Sequence, residues 1–227
     1  RSTQVLPFPI SVDFEAIARG AERDPCLERM ESLRRELHLA DKVMLFGIDR
    51  LDYTKGIPDR LRAVDLLLEQ HPEYIGQLVF VQAGSPSRQQ IPAYKCLMQE
   101  VETLTSEINR RYRTDDWSPI VTFDQDLPWD SVLALYRLAD VCIVSSLQDG
   151  MNLVAKEFVS ARVDERGVLA LSRFAGAAEE MPDALSINPY ATADFAEQLH
   201  AAIRMAVDEQ GLRMRHMRRQ VRENNIY

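Results

Sequence analysis

The sequence holds only three cysteines in 227 residues, Cys26, Cys96 and Cys142, odd in number, far apart and without a CxxC spacing. That excludes a disulfide framework and points to a reduced, cytoplasmic protein. The four histidines, His38, His71, His200 and His216, fall in no metal-ligand pattern and read as surface positions on helices or in loops. No apolar run approaches the roughly 18 residues of a membrane span, and no secretory leader is evident, so neither a membrane nor export is expected. Positive charge is in deficit: 27 Lys and Arg against 35 Asp and Glu give a net charge of -8. Such a balance argues against a general binder of nucleic acid or membrane surfaces, so an anionic ligand must be held by a local site. There is also no GxGxxG, no GxxxxGK[ST], no HExxH and no GxSxG. Nicotinamide redox chemistry, P-loop hydrolysis, zinc proteolysis and serine hydrolysis thereby lose most of their support. Internal repeats and low-complexity segments are absent.

What is present is an alternation of short apolar runs with longer helical patterns. Strands are expected at Val43–Ile48, Leu78–Ala83, Ile120–Phe123, Val141–Ser145, Val168–Leu171 and Leu185–Ile187. Their apolar residues are continuous rather than alternating, the mark of strands buried on both faces. Between them, Leu61, Val64, Leu67 and Leu68 share one helical face, residues 131–139 form a short helix, and residues 193–206 repeat Phe195, Leu199 and Ile203 every four. The order predicts an α/β fold with a Rossmann-like, doubly wound parallel sheet of about six strands, in one domain over residues 1–227. The ends are less regular. Residues 5–10 read as an extended segment restricted by prolines. A basic helix over residues 212–225 has few apolar residues and needs another surface to lie on. Both ends suggest a piece of something larger.

In an open parallel sheet, ligands bind outside the carboxyl ends of the strands, so the turns there carry the chemistry. After the first strand comes Arg50-Leu-Asp-Tyr-Thr-Lys55-Gly56, followed by Pro58 near the start of a helix. Two cations beside a helix N-terminus make an anion site suited to phosphate, with solvated loop charges as the competing explanation. After the second strand, Gly84-Ser-Pro-Ser-Arg88 presents one arginine at the same edge. After the fourth comes Asp149-Gly150-Met151-Asn152-Leu153-Val-Ala-Lys-Glu157, a turn with a helix expected from about Met151. The backbone N–H groups of Met151 to Leu153 then have no intrahelical partners and can donate to hydroxyls or phosphate. Glu157, four residues past Leu153, lies one turn down on the same side, where a carboxylate suits ribose hydroxyls. Asp149 reads alternatively as a simple helix cap. Together these turns describe a site for a nucleotide-sugar.

RLDYTKG, DGMNLVAKE and SRFAGAAEE followed by INPY closely resemble the trehalose-6-phosphate synthases, retaining glycosyltransferases of the two-domain GT-B fold, over nearly the whole chain and in the same order. The resemblance implies the C-terminal, donor-binding half of that fold, with the N-terminal acceptor domain of the parent enzyme absent and activity lost or nearly so in isolation. It implies that Arg50 and Lys55 hold the donor diphosphate and act catalytically by stabilising it as a leaving group. Asp149 and the Gly150, Met151 and Asn152 segment would bind glucose hydroxyls, the Leu153 amide a phosphate, and Glu157 the ribose. Asp126 and Leu127 would hold the base through backbone contacts, and Arg88 would meet the acceptor phosphate. The donor would be UDP-glucose, GDP-glucose or ADP-glucose, and the acceptor glucose 6-phosphate. No metal or cofactor is implied, no DxD-type carboxylate pair is evident, and homo-oligomerisation of the parent stays open. A glucosylglycerol-phosphate synthase, a pseudo-glycosyltransferase and a non-catalytic nucleotide-sugar-binding module are the alternatives.

Overall fold

A computed structural model describes residues 9–85 and 90–227 of the chain. In chain order its elements are α1 (Phe14–Ala21), α2 (Asp24–Glu36), β1 (Val43–Ile48), α3 (Ile57–Gln70), β2 (Leu78–Ala83), α4 (Pro92–Tyr112), β3 (Ile120–Phe123), α5 (Trp129–Leu138), β4 (Val141–Val144), α6 (Leu153–Ala161), β5 (Val168–Ser172), α7 (Ala177–Glu180), β6 (Leu185–Ile187), α8 (Thr192–Arg204) and α9 (Val207–Glu223). All six expected strands form, within one residue of their expected ends, because runs such as Val-Met-Leu-Phe can bury both faces only at the centre of a sheet.

The strands make one parallel sheet in the order β3-β2-β1-β4-β5-β6. β1 pairs with β2 from Val43↔Leu78 to Ile48↔Ala83, and with β4 at Leu45↔Val141 and Phe46↔Cys142. Strand side chains alternate between two cores. Met44, Phe46, Val81 and Cys142 point to one face, covered by α1, α2, α5, α6 and α9; Leu45, Phe80 and Ile143 point to the other, covered by α3, α4 and α8.

Three expectations change. Helix α9 begins at Val207, five residues earlier than expected, and its covering surface lies within this chain: Met214, Met217 and Val221 are buried in the core shared with α1 and α6. Arg218 and Arg222 add cation–π contacts over the Phe14 ring, at 5.0 and 4.6 Å from its centroid. Of the four histidines, His38 and His216 are exposed, but His71 and His200 are half-buried and stacked on one another. The helix after β4 starts at Leu153 rather than Met151, for a reason found at the site. The proline-restricted segment at residues 5–10 lies mostly outside the described residues.

Candidate functional site

Strand order reverses its direction of growth between β1 and β4, the switch point at which open α/β sheets form a ligand crevice. Three segments leave the carboxyl edge around it and are tied to one another by backbone. The Leu147 amide donates to the Thr54 carbonyl at 2.7 Å. The Asp149 amide donates to the Phe174 carbonyl at 3.1 Å, and the Gly176 amide to the Asp149 carbonyl at 3.0 Å. Two glycines permit this approach. Gly56 has φ +61°, and a Cβ there would stand 2.3 Å from the Ser145 carbonyl oxygen. A Cβ on Gly176 would stand 2.1 Å from the Gly150 carbonyl oxygen, so the RFAGAAEE stretch serves as the support of the DGMN loop.

Beneath the first turn lies a buried polar network. Arg60, on α3, is fully buried. Its Nη2 donates to Asp49 Oδ2 at 2.6 Å, its Nη1 to Gln82 Oε1 at 2.9 Å and its Nε to Ser145 Oγ at 3.0 Å. Ser145 Oγ in turn donates toward the Lys55 and Gly56 carbonyls at 3.0 and 3.1 Å. One guanidinium thus joins the ends of β1, β2 and β4 and fixes the backbone that carries Lys55. Burial raises the Asp49 carboxyl above its ordinary range, with Arg60 pulling the other way.

Above this network opens a cleft of about 290 Å³ whose walls include Arg50, Lys55, Gly84, Asp126, Leu127 and Val154. Arg50 is exposed and makes no ion pair or side-chain hydrogen bond among the described residues. Lys55 Nζ donates to Asp149 Oδ2 at 2.6 Å. An ammonium has three donors, so this contact leaves two for a ligand. Asp149 also accepts from Asn152 Nδ2 at 3.2 Å. Burial opposes ionisation of Asp149, but the bond and charge of Lys55, with the Met151 amide and Asn152, outweigh it and hold the carboxyl below its ordinary value.

Asn152 explains the late helix start. It sits at φ 78°, ψ 94°, outside helical space, and its side chain accepts from the Ala155 amide at 3.3 Å as the N-cap of α6. Asn152, not Asp149, is therefore the cap, and Asp149 is the partner of Lys55. The Met151 amide already faces Asp149 Oδ1 at 3.4 Å. This differs from the expectation of three free amides at Met151, Asn152 and Leu153: the partnerless first-turn amides of α6 begin with Leu153 and Val154. Glu157 lies one turn along α6, half-buried, with Oε2 accepting from the Tyr136 hydroxyl at 2.8 Å. Burial raises its carboxyl, against the lowering effect of that bond. Lys156 next to it is buried and bonds Glu180 Oε2 at 2.8 Å and the Ile10 carbonyl at 2.9 Å. Arg88 lies outside the described residues.

The structure thus gathers Arg50, Lys55, Asp126 and Leu127 on one cleft, with Asp149 and Gly150 to Leu153 beside Lys55 and Glu157 one turn below. Three buried groups escaped the sequence reading: Arg60, Tyr136 and Lys156. For Arg60 a signal was available. It falls among Ile57, Leu61, Val64, Leu67 and Leu68 at core positions of α3, where a solvated arginine does not belong.

A doubly wound sheet that brings an arginine without an ion pair among the described residues, a lysine and a helix N-terminus to its switch point is an α/β domain of the kind whose crevice suits a phosphorylated ligand. The chain belongs to glycosyltransferase family 20, whose model matches residues 1–227. It is 38% identical over 203 residues to the UDP-forming alpha,alpha-trehalose-phosphate synthase of Candida albicans, covering 89% of this chain and 42% of that protein. It is 40% identical over 226 residues to the bifunctional trehalose-6-phosphate synthase/phosphatase of Thermoproteus tenax, covering 100% and 31%. Among solved structures, a UDP-forming synthase of Burkholderia xenovorans in complex with glucose-6-phosphate superimposes with a TM-score of 0.92 at 39% identity, covering 96% of this chain and 48% of that one. The E. coli protein bound with UDP-2-fluoro glucose gives 0.91 at 35%, covering 96% and 48%. The fold is accordingly one Rossmann-like α/β half of a GT-B glycosyltransferase. The chain spans about half the length of these solved relatives or less than half of the curated ones.

Proposed function

We propose that this chain is the donor-binding half of a retaining glucosyltransferase that moves glucose from UDP-glucose to glucose 6-phosphate and forms trehalose 6-phosphate. The observation that carries the reading is the convergence of Arg50, Lys55 and the first turn of α6 at the β1/β4 switch point. As the bond between the anomeric carbon and the diphosphate oxygen breaks, negative charge grows on the diphosphate. Arg50, the two remaining Lys55 donors and the Leu153 amide stand ready to neutralise it. Preorganised donors of this kind are worth about 3–4 kcal/mol each, so the site needs no divalent metal for the leaving group. Retention follows if the acceptor hydroxyl attacks on the face that the diphosphate vacates, without a carboxylate nucleophile. Asp149, held ionised by Lys55, suits glucose hydroxyls, and Glu157, oriented by Tyr136, suits those of ribose. Asp126 and Leu127 would bracket the base. The UDP-forming relatives favour uracil over guanine or adenine. Glucose 6-phosphate would be met chiefly by the other half of the enzyme, with Arg88 contributing from this one.

Calorimetric titration of the chain with UDP, GDP, ADP, uridine and the glucose conjugates, in the presence of a chelator, tests this. UDP should bind best, and Arg50→Ala should cost it at least tenfold in affinity while uridine binding is unchanged. Equal affinities for UDP and uridine, or UDP binding indifferent to Arg50→Ala, would overturn the phosphate assignment.

A further inference from the structure

At the amino edge of the sheet, opposite the cleft, α3 ends at His71, a one-turn 3-10 helix follows at Pro72–Tyr74, and α8 packs alongside with His200 on its third turn. One ligand atom from each of His71, Glu73 and His200 lies within 4.8 Å of the others. We propose that these three residues form a site for a borderline divalent transition ion of the Zn²⁺ or Ni²⁺ type, which would staple α3 to α8.

Several observations support it. The two imidazoles stack with centroids 3.8 Å apart and planes 8° from parallel. This brings two imidazoles from different helices to one place, and imidazole is a common ligand of such ions. The Nδ1 atom of each ring is already engaged: that of His200 with the Tyr74 hydroxyl at 2.9 Å, that of His71 facing Glu73 Oε1 at 3.4 Å. The Tyr74 hydroxyl is an outer contact of the sort that orients a metal-binding histidine and leaves Nε2 of His200 as its ligand atom, whereas Glu73 would turn from the His71 ring to the ion. Tyr74 is buried, so its hydroxyl is a fixed anchor, whereas Glu73 is exposed and free to swing. Two imidazoles and a carboxylate suit Zn²⁺, Ni²⁺ or Cu²⁺ and suit Mg²⁺ or Ca²⁺ poorly. Tetrahedral bonds of about 2.1 Å put ligand atoms about 3.4 Å apart, so binding requires the parallel rings to open into a V. Arg204, one turn after His200, is a cation felt at Tyr74.

The test uses the whole chain in a Cys96→Ser background, because Cys96 is an exposed thiol that would compete for soft metals. ZnCl₂ and NiCl₂ are titrated by calorimetry at neutral pH, with thermal melts alongside. Saturable one-to-one binding is expected, with the melting temperature rising by about 5–10 °C at a hundredfold excess over Kd. His71→Gln and His200→Gln should each weaken binding more than tenfold, Tyr74→Phe about tenfold, and His216→Gln not at all. The metal-free melts of the variants show whether they fold. Should the histidine variants not fold, ring resonances of the unaltered chain decide: those of His71 and His200 must move on Zn²⁺ addition while those of His38 and His216 stay. Absence of saturable binding up to about 1 mM metal, or binding indifferent to both histidine substitutions, overturns the site.

Discussion

Arg60→Met isolates the contribution of the buried guanidinium under the Lys55 turn. The side chains of Arg60 and Asp49 are 0% and 3% exposed and 2.6 Å apart. Methionine recovers much of the lost volume with a flexible apolar chain, so the main cost is the charge left on Asp49. Removing one partner of a buried pair costs about 3–5 kcal/mol, a large share of the roughly 5–15 kcal/mol that holds a domain folded. In urea, with a slope of about 3 kcal/mol/M, the unfolding midpoint should fall by about 1–1.7 M. Because the penalty is an orphaned charge, Arg60→Met combined with Asp49→Asn should recover more than half of it, a coupling that a double-mutant cycle measures directly. The pH dependence has a definite sign. The Asp49 carboxyl, already raised by burial, rises further without Arg60; the penalty is full above that folded value and fades as pH falls through it toward the ordinary 3.8. A midpoint within about 0.3 M of wild type, or additive effects of the two substitutions, would show that Arg60 does not hold the charge at the strand end.

Glu157→Gln separates stability from binding. The Glu157 carboxyl is raised from 4.5 by burial, so its ionised form costs stability above the raised value and costs nothing below 4.5. The glutamine variant should melt higher than wild type at pH 7 and equally at pH 4, yet bind UDP about tenfold more weakly with no change toward 2′,3′-dideoxy-UDP; a lower melting temperature at pH 7 would refute the burial argument. Gly56→Ala places an L residue at φ +61° and a methyl against the Ser145 carbonyl, and should cost about 2 kcal/mol or more in urea unfolding together with weaker UDP binding. Asp149→Asn should destabilise at pH 7. The lowered carboxyl contributes its stability above 3.8 and loses it as pH falls through the folded value, so the difference from wild type should shrink below pH 3.8; a difference independent of pH would remove the Lys55 pair as its source.

The strands were legible because their apolar runs are continuous and bounded by Gly, Pro and Asp, and burial on both faces leaves such runs one placement. Arg50, Lys55 and Asp149 were legible because they sit just past those runs, where the carboxyl edge must be. The start of α6 was not: a helix at Met151 has acceptable propensities, but the Asn152 side chain caps locally, accepting from the Ala155 amide and donating to Asp149, and the Ala177 amide pins the loop from outside at the Met151 carbonyl. The Tyr136 hydroxyl on Glu157 is a contact between helices, to which periodicity is blind. His71 and His200 were dispersed as surface residues because 129 positions of chain separate them, and no local spacing reports that α3 and α8 are neighbours.

The position of β4 beside β1 carries a kinetic consequence. The Met44 amide and the Asp140 carboxylate that it donates to are 96 residues apart in sequence. Strands β1 to β3 and β4 to β6 each pair with near neighbours, whereas the central seam closes a long loop, whose entropy is lost before any contact across it compensates. The two halves of the sheet should therefore form before they join. The cleft lies on that seam, with Arg50 and Lys55 from one half and α6 from the other. A ligand that spans it would recognise only the finished fold, slowing unfolding while leaving the refolding rate unchanged; stopped-flow traces with and without UDP would read this directly, and a ligand-accelerated refolding phase would mean that the seam closes early.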